Sequence, residues 1–189
     1  IVAGSAPDVS ANTDVYLIKT DSSGDTIWTR TYGGTNGDVG FSVRQTRDSG
    51  YVIAGWTFSF GVNSAVYLIK TKPGTNGDTA WTRAYGGPGQ QGLGYSVQQT
   101  MDGGYALAGY SASAGPNGYD VLLIRTDTSG ETLWTRNYGA TGADEGRSVR
   151  QTTDGGYIIA GQTTSFGAGG CDIYLLKTNA NRDSIWKRT

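Results

Sequence analysis

This 189-residue chain carries 16 acidic and 15 basic side chains, 5 tryptophans, one cysteine and no histidine. The absence of histidine excludes Ser-His-Asp and Cys-His nucleophiles, imidazole zinc sites and a charge switch near neutral pH. Cys171 alone makes neither an internal disulfide nor a thiolate metal cluster, and its place before an apolar run reads as a small space-filler. The acids recur at fixed places. Asp48, Asp102 and Asp154 share one turn, Asp14, Asp120 and Asp172 precede one apolar string, and Asp38 and Asp144 follow a Tyr-Gly loop. A ring of such carboxylates would hold Ca²⁺ through oxygen ligands. Aspartate also caps turns by bonding its own backbone two residues on. Recurrence favours the turn role, as does the break in the second series at Ala65, so Ca²⁺ on Asp48, Asp102 and Asp154 is the weaker alternative and no cofactor is expected. Glycoside hydrolysis needs two acids at a defined separation. Asp144-Glu145 is the adjacent acidic pair, and it reads as part of a turn.

Trp28, Trp81, Trp134 and Trp186 stand in the strings DTIWTR, DTAWTR, ETLWTR and DSIWKR, spaced by 53, 53 and 52 residues. A residue at the same place in every unit serves the unit, so these indoles are expected to pack between neighbouring sheets rather than to stack on sugars. Arg30, Arg83 and Arg136 follow by two and share that face, where each can meet an acid of the adjoining unit or an aromatic ring. A single binding site on a repetitive scaffold has to break the repeat. Ser5, Trp56, Tyr110 and Gln162 follow an Ala-Gly pair or its register, and Phe41, Tyr95 and Arg147 precede Ser-Val. Trp56 with Phe58, Tyr110, Phe41, Tyr95 and Arg147 are therefore the candidate ligand-binding residues; the plainer reading has them filling gaps at the ends of units. The Gly-rich strings at Gly33–Gly37 and Gly167–Gly170 lack the following helix and Lys-Ser/Thr pair of a phosphate loop.

The elements that carry these residues are strands. Each unit has a Ser-Val string (FSVRQT, YSVQQT, RSVRQT), a YVIAG-type string, an apolar DVYLIKT-type string and the tryptophan string, and the chain opens on IVAG. All are short and rich in β-branched and aromatic residues, and turn residues bound them. Asp48-Ser49-Gly50, Asp102-Gly103-Gly104 and Asp154-Gly155-Gly156 are hairpin turns in which glycine supplies positive φ. No stretch has helical periodicity. The DVYLIKT and VIAG strings are apolar on both faces, as in strands sandwiched between sheets. Four antiparallel strands repeated about every 50 residues predict an all-β protein, a β-propeller of four blades per chain, with an open solenoid as runner-up. The units run approximately 1–40 (partial), 41–94, 95–146 and 147–189 of one repeat array. Either the Ser-Val string or the Ile-Ala-Gly string stands innermost, and the ring closes within the chain or as half of an eight-bladed ring completed by a second chain.

The string DTSGETLW at Asp127–Trp134 resembles the repeat of quinoprotein-type propellers, in which an outer-strand tryptophan docks onto the next blade. The wider pattern, DGGYIIAGQTTSFGAGGCDIYLLKT with a following W-T-R-x-Y-G-G, resembles a family of secreted propeller-repeat proteins of bacteria and archaea. The resemblance implies architecture and not chemistry, since turn glycines, core strands and the docking tryptophan carry it. The calcium ligands and paired cysteines of the quinone-dependent enzymes have no counterpart in this chain.

A net charge of −1 excludes the broad positive field of nonspecific nucleic-acid binding, and apolar runs such as Val15–Ile18 are far too short for a bilayer helix. No leader is visible and Ile1 falls in mid-repeat, which predicts a processed chain or a piece of something longer. The reading is a noncatalytic, extracellular or cell-surface scaffold for protein or glycan partners, able to self-associate by completing or stacking rings. The alternatives are a lectin-like module and a propeller glycosidase or lyase.

Overall fold

The computed structural model describes residues 1–7, 12–60, 64–86, 91–112 and 118–189. Among them the chain forms fifteen strands and no helix, in four antiparallel sheets that follow one another along the sequence. The first sheet is β1 (Val2–Pro7), β2 (Thr13–Thr20) and β3 (Thr26–Tyr32). The second is β4 (Asp38–Gln45), β5 (Tyr51–Thr57), β6 (Ala65–Thr71) and β7 (Thr79–Tyr85). The third is β8 (Gly92–Gln99), β9 (Tyr105–Ala112), β10 (Tyr119–Thr126) and β11 (Thr132–Tyr138). The fourth is β12 (Asp144–Gln151), β13 (Tyr157–Thr163), β14 (Asp172–Thr178) and β15 (Ser184–Arg188). The chain divides into two compact units, Ile1–Gly94 and Tyr95–Thr189, with the division inside β8.

Strand order within a sheet is the order of the chain. The Ser-Val string and the tryptophan string are therefore the two edges of each full sheet. The alternative that puts the Ile-Ala-Gly string at an edge fails there, because β5, β9 and β13 each lie between two strands. Only β1, which has no Ser-Val partner, is an edge strand of that type.

The hairpins show why their glycines are needed. Gly103 and Gly155 take φ of 92° and 78°, as expected, but in the second sheet Ser49 (φ 69°) rather than Gly50 adopts the left-handed conformation. The following glycine answers a different demand. A Cβ on Gly104 or Gly156 would lie 2.2 or 2.0 Å from the carbonyl oxygen of Thr126 or Thr178, a backbone approach that only glycine permits.

Each unit buries a core between its two sheets. In the first unit Val15 and Leu17 of β2 pack with Tyr51, Ile53, Tyr67 and Ile69 of the second sheet, and Trp28 and Val43 close the edges. In the second unit Val121 and Leu123 of β10 pack with Val149, Tyr157, Ile159, Tyr174 and Leu176 of the fourth sheet. The same positions of the DVYLIKT-type strand of one sheet thus cover the same positions of the Ile-Ala-Gly and DVYLIKT-type strands of the next. Both faces of β6 are buried along its whole length, as its two-sided apolar string predicts. Glycine again permits close approach, since a Cβ on Gly40 would sit 2.8 Å from Val15 Cγ1.

Two of the four repeated tryptophans, Trp28 and Trp134, pack between sheets as expected, whereas Trp186 is exposed. Trp28 meets Tyr51 edge-on at 6.0 Å between ring centroids, and Trp134 meets Tyr157 at 5.7 Å. Beside them Arg30 pairs with Asp78 of the next sheet at 2.8 Å, and Tyr32 donates its hydroxyl to the carbonyl of Gly77 at 2.6 Å. In the second unit Tyr138 donates to the carbonyl of Arg182 at 2.8 Å. Cys171 is exposed, so it fills no core space, contrary to the expectation from its neighbours.

Candidate functional site

A β-bulge creates the positions that vary between units. Gly40 pairs with Gly55 and Ser42 with Ala54, leaving Phe41 as the extra residue; Gly146 pairs with Gly161 and Ser148 with Ala160, leaving Arg147. The bulge also accounts for the Ala-Gly pair. A Cβ on Gly55 or Gly161 would stand 1.7 Å from the carbonyl oxygen of Val39 or Glu145. The residue at the bulge and the residue after Ala-Gly are freed from the repeat's packing and can differ from sheet to sheet.

In the second unit these positions converge. The Arg147 guanidinium lies 3.8 Å from the ring centroid of Tyr95, and Tyr95, Tyr110 and Tyr119 follow one another at 5.8 and 4.5 Å between centroids, all tilted. Glu145 forms an ion pair with the same guanidinium at 2.5 Å. The tyrosines come from β8, β9 and β10 of one sheet, and the arginine and glutamate from β12 of the next. Arg147 is about half exposed (46%) and Glu145 mostly covered (13%), so the cluster has a buried floor and an open rim. Burial, then the neighbouring Tyr95, raises the Tyr110 hydroxyl to about 12. Burial and Glu145 likewise raise Tyr95, against the lowering effect of Arg147. Both phenols are neutral hydrogen-bond donors at physiological pH.

The sequence-derived candidates Tyr95, Tyr110 and Arg147 are thus in one cluster. Trp56 and Phe58 are together in the first unit, edge-on at 4.8 Å, with Phe58 half exposed and Trp56 against Gly37. Phe41 is exposed on β4 of the same unit. Tyr119 and Glu145 also belong to the cluster; Tyr119 was not singled out from the sequence, and Glu145 only as half of the Asp144-Glu145 pair. The signal was present: Tyr119 stands where other units have Thr13, Ser64 and Cys171, and Glu145 where they have Val39 and Leu93.

The repeated acids are engaged within the repeat. Asp48 accepts from Thr46 Oγ1 at 2.5 Å, Gly50 N at 3.0 Å and the buried Lys70 Nζ at 2.9 Å. Asp154 does the same with Thr152, Gly156 and Lys177, and Asp102 with Thr100, Gly104 and Arg125. Each cation also donates to the carbonyl that follows it, Lys70 to Thr71 at 2.7 Å and Lys177 to Thr178 at 2.7 Å. Burial raises Asp48, but the bonds from Thr46, Lys70 and Gly50 outweigh it and hold the carboxyl at about 2. Asp38 and Asp144 are fully buried and tie two loops together. Asp38 accepts from Gly34 N at 2.9 Å and Ser59 Oγ at 2.6 Å, and Asp144 from Ala140 N at 3.0 Å and Ser165 Oγ at 2.7 Å. They therefore bond residues four back and across the sheet, not two on. Burial and the adjacent Asp144 raise the Asp120 carboxyl. Among the described residues no group of three or more His, Cys, Asp or Glu side chains is placed to hold a metal ion.

No protein-family model matches the chain, and no curated protein is significantly similar to it. An all-β repeat that lacks metal-cluster and disulfide machinery among the described residues is consistent with a structural or binding scaffold.

Proposed function

We propose that this chain is a noncatalytic, secreted or cell-surface module whose sheets are blades of a β-propeller and whose Tyr95-Tyr110-Tyr119-Arg147-Glu145 cluster binds glycan. The convergence of five symmetry-breaking residues carries this reading. The residues common to the units are absorbed in turns, bulges and intersheet packing, whereas these five leave ring faces and hydrogen-bonding groups at an open rim. Tilted phenol rings offer surfaces for the C–H faces of pyranose rings, and a guanidinium and a carboxylate beside them suit sugar hydroxyls. The propeller reading draws on the resemblance of the repeat and on the repeated sheet-on-sheet packing within each unit.

A glycosidase reading is less well supported. Glu145 is held by Arg147, and the adjacent Asp144 is buried among Thr163, Ser165 and Ala140 on another side of the strand. The two carboxyls of the acidic pair do not face one substrate.

Co-sedimentation with a panel of insoluble polysaccharides and titration with their soluble fragments test the proposal. At least one polysaccharide is expected to bind without turnover, with binding reduced at least tenfold in Tyr110→Ala and Arg147→Ala while both variants keep the parent's circular dichroism. Binding that both variants retain, or release of reducing ends by the parent, would overturn it.

A further inference from the structure

The intersheet contact has a fixed register, and this chain carries both of its halves uncovered. In the first unit Val15 and Leu17 of β2 are fully buried against Ile53, Tyr67 and Ile69; in the second Val121 and Leu123 of β10 are fully buried against Ile159, Tyr174 and Leu176. The same two positions of β14 are Ile173 and Leu175, and they are 72% and 37% exposed. Trp186 stands at the register of Trp28 and Trp134, which pack on Tyr51 and Tyr157, yet it is exposed. The neighbouring Ile185 says nothing here, since Ile27 and Leu133 at its register are exposed too.

The receiving half is on the first sheet. Val2 stands at the register of Ile53 and Ile159, which are buried, but it is 60% exposed. Tyr16 and Ile18 stand at the register of Tyr67 with Ile69 and of Tyr174 with Leu176; those four are buried, whereas Tyr16 and Ile18 are only partly covered. Charge follows the same pattern. Arg30 pairs with Asp78 across the sheets of the first unit; Arg188 and the exposed Asp25 hold the corresponding places on the fourth and first sheets. An apolar knob set with a cation beside it, and an apolar seat with an acid beside it, are thus both presented by one chain.

We propose that the Ile173-Leu175-Trp186 face of the fourth sheet is an interface that receives the Val2-Tyr16-Ile18 face of a second copy of this chain, with Arg188 meeting Asp25 of that copy. The contact is head-to-tail, and the closed form proposed is a two-chain ring in which each copy seats the other's knob set. It repeats a packing already present twice in the chain, which is why a second copy fits better than an unrelated apolar partner. Because the first sheet has no Ser-Val strand, the seat is narrower than the one inside each unit, and association is expected to be concentration-dependent. The inference rests on sheet stacking within the units and does not involve the tyrosine cluster.

Sedimentation equilibrium or light scattering from low micromolar to near-millimolar chain tests it, with circular dichroism as the control for folding. The parent is expected to reach twice the chain mass. Val2→Asp and Ile173→Asp each fall to the chain mass with unchanged dichroism, as both residues are solvent-exposed in the single copy. An equimolar mixture of the two variants regains a two-chain species, because one intact seat and one intact knob set remain. A parent that stays at the chain mass throughout would overturn the proposal. So would association indifferent to both substitutions, or loss caused by Ile173→Asp alone, which would signify a fourth sheet pairing with its own kind.

Discussion

Arg147 lies over the ring of Tyr95 at 3.8 Å while Glu145 grips the same guanidinium at 2.5 Å, so the phenol, cation and carboxylate are electrostatically coupled. Their effects on Tyr95 have opposite signs: Glu145 raises the pKa of its hydroxyl and Arg147 lowers it. Glu145→Gln is expected to move the Tyr95 titration down, and Arg147→Ala to move it up, as read by ¹³C NMR of the tyrosine rings. Stability changes little in Glu145→Gln, about 1 kcal/mol or less, because the guanidinium left behind is half exposed. Arg147→Ala costs more, about 1–3 kcal/mol, because it leaves the mostly covered Glu145 carboxylate unpaired. A Tyr95 titration unmoved by both substitutions would rule out the coupling.

Trp134 and Trp186 occupy one register of the repeat but face different surroundings. Trp134 is partly buried against Tyr157, with the Arg182 guanidinium 5.6 Å from its ring, whereas Trp186 is exposed. Trp134→Ala is expected to cost about 2–3 kcal/mol, less than the about 3–5 kcal/mol for a fully packed aromatic because the indole is only partly buried. Trp186→Ala is expected to cost about 1 kcal/mol or less, at chain concentrations too low for association. Urea unfolding of the two variants checks the difference; equal costs would mean that the indole does not dock between sheets.

The strands, the order of the units and the packing role of Trp28 and Trp134 were legible because each depends on local pattern: two-sided apolar strings, turn residues and a period. The candidate site was half legible. Tyr95, Tyr110 and Arg147 break the repeat and do meet, but the bulge that frees Arg147 depends on a cross-strand pairing of Gly146 with Gly161 that a single strand does not announce. The role of Asp38 and Asp144 was hidden for a similar reason. Their partners Ser59 and Ser165 are 21 residues away and arrive through hairpin register, not local sequence.

Ser49 holds φ of 69° at a turn position where the other two full sheets have Gly103 and Gly155. A non-glycine residue in that region costs about 1–2 kcal/mol, partly offset by the unfolded-state entropy that glycine adds. Ser49→Gly is therefore expected to stabilise the protein by about 0.5–1 kcal/mol. Arg182, at φ 73° where Gly77 and Gly130 stand in other units, is a contrast. Arg182→Gly relieves similar strain but removes the guanidinium from Trp134, so its net effect is expected to be smaller. Thermal unfolding of the two variants in parallel checks the order, and a destabilised Ser49→Gly would refute it.

Acid behaviour separates two kinds of aspartate. Asp48 has its folded value at about 2, below the ordinary 3.8, so its stabilising contribution is complete above 3.8 and is lost as pH falls through about 2. Asp48→Asn is thus expected to lower stability at neutral pH, by about 1 kcal/mol after allowance for screening of a half-exposed carboxylate beside the buried Lys70, and to converge on the parent below pH 2. Asp120 has the opposite sign. Burial and Asp144 raise its folded value above 3.8, so the ionised form burdens the fold at neutral pH, and the burden disappears as pH falls below 3.8. Asp120→Asn is expected to stabilise the protein at pH 7 and to match the parent at low pH, provided the amide fits the same space. Denaturant unfolding of both variants across the acid range is the measurement. Curves that diverge from the parent in the same direction would show that the carboxylates act through shape and not through charge.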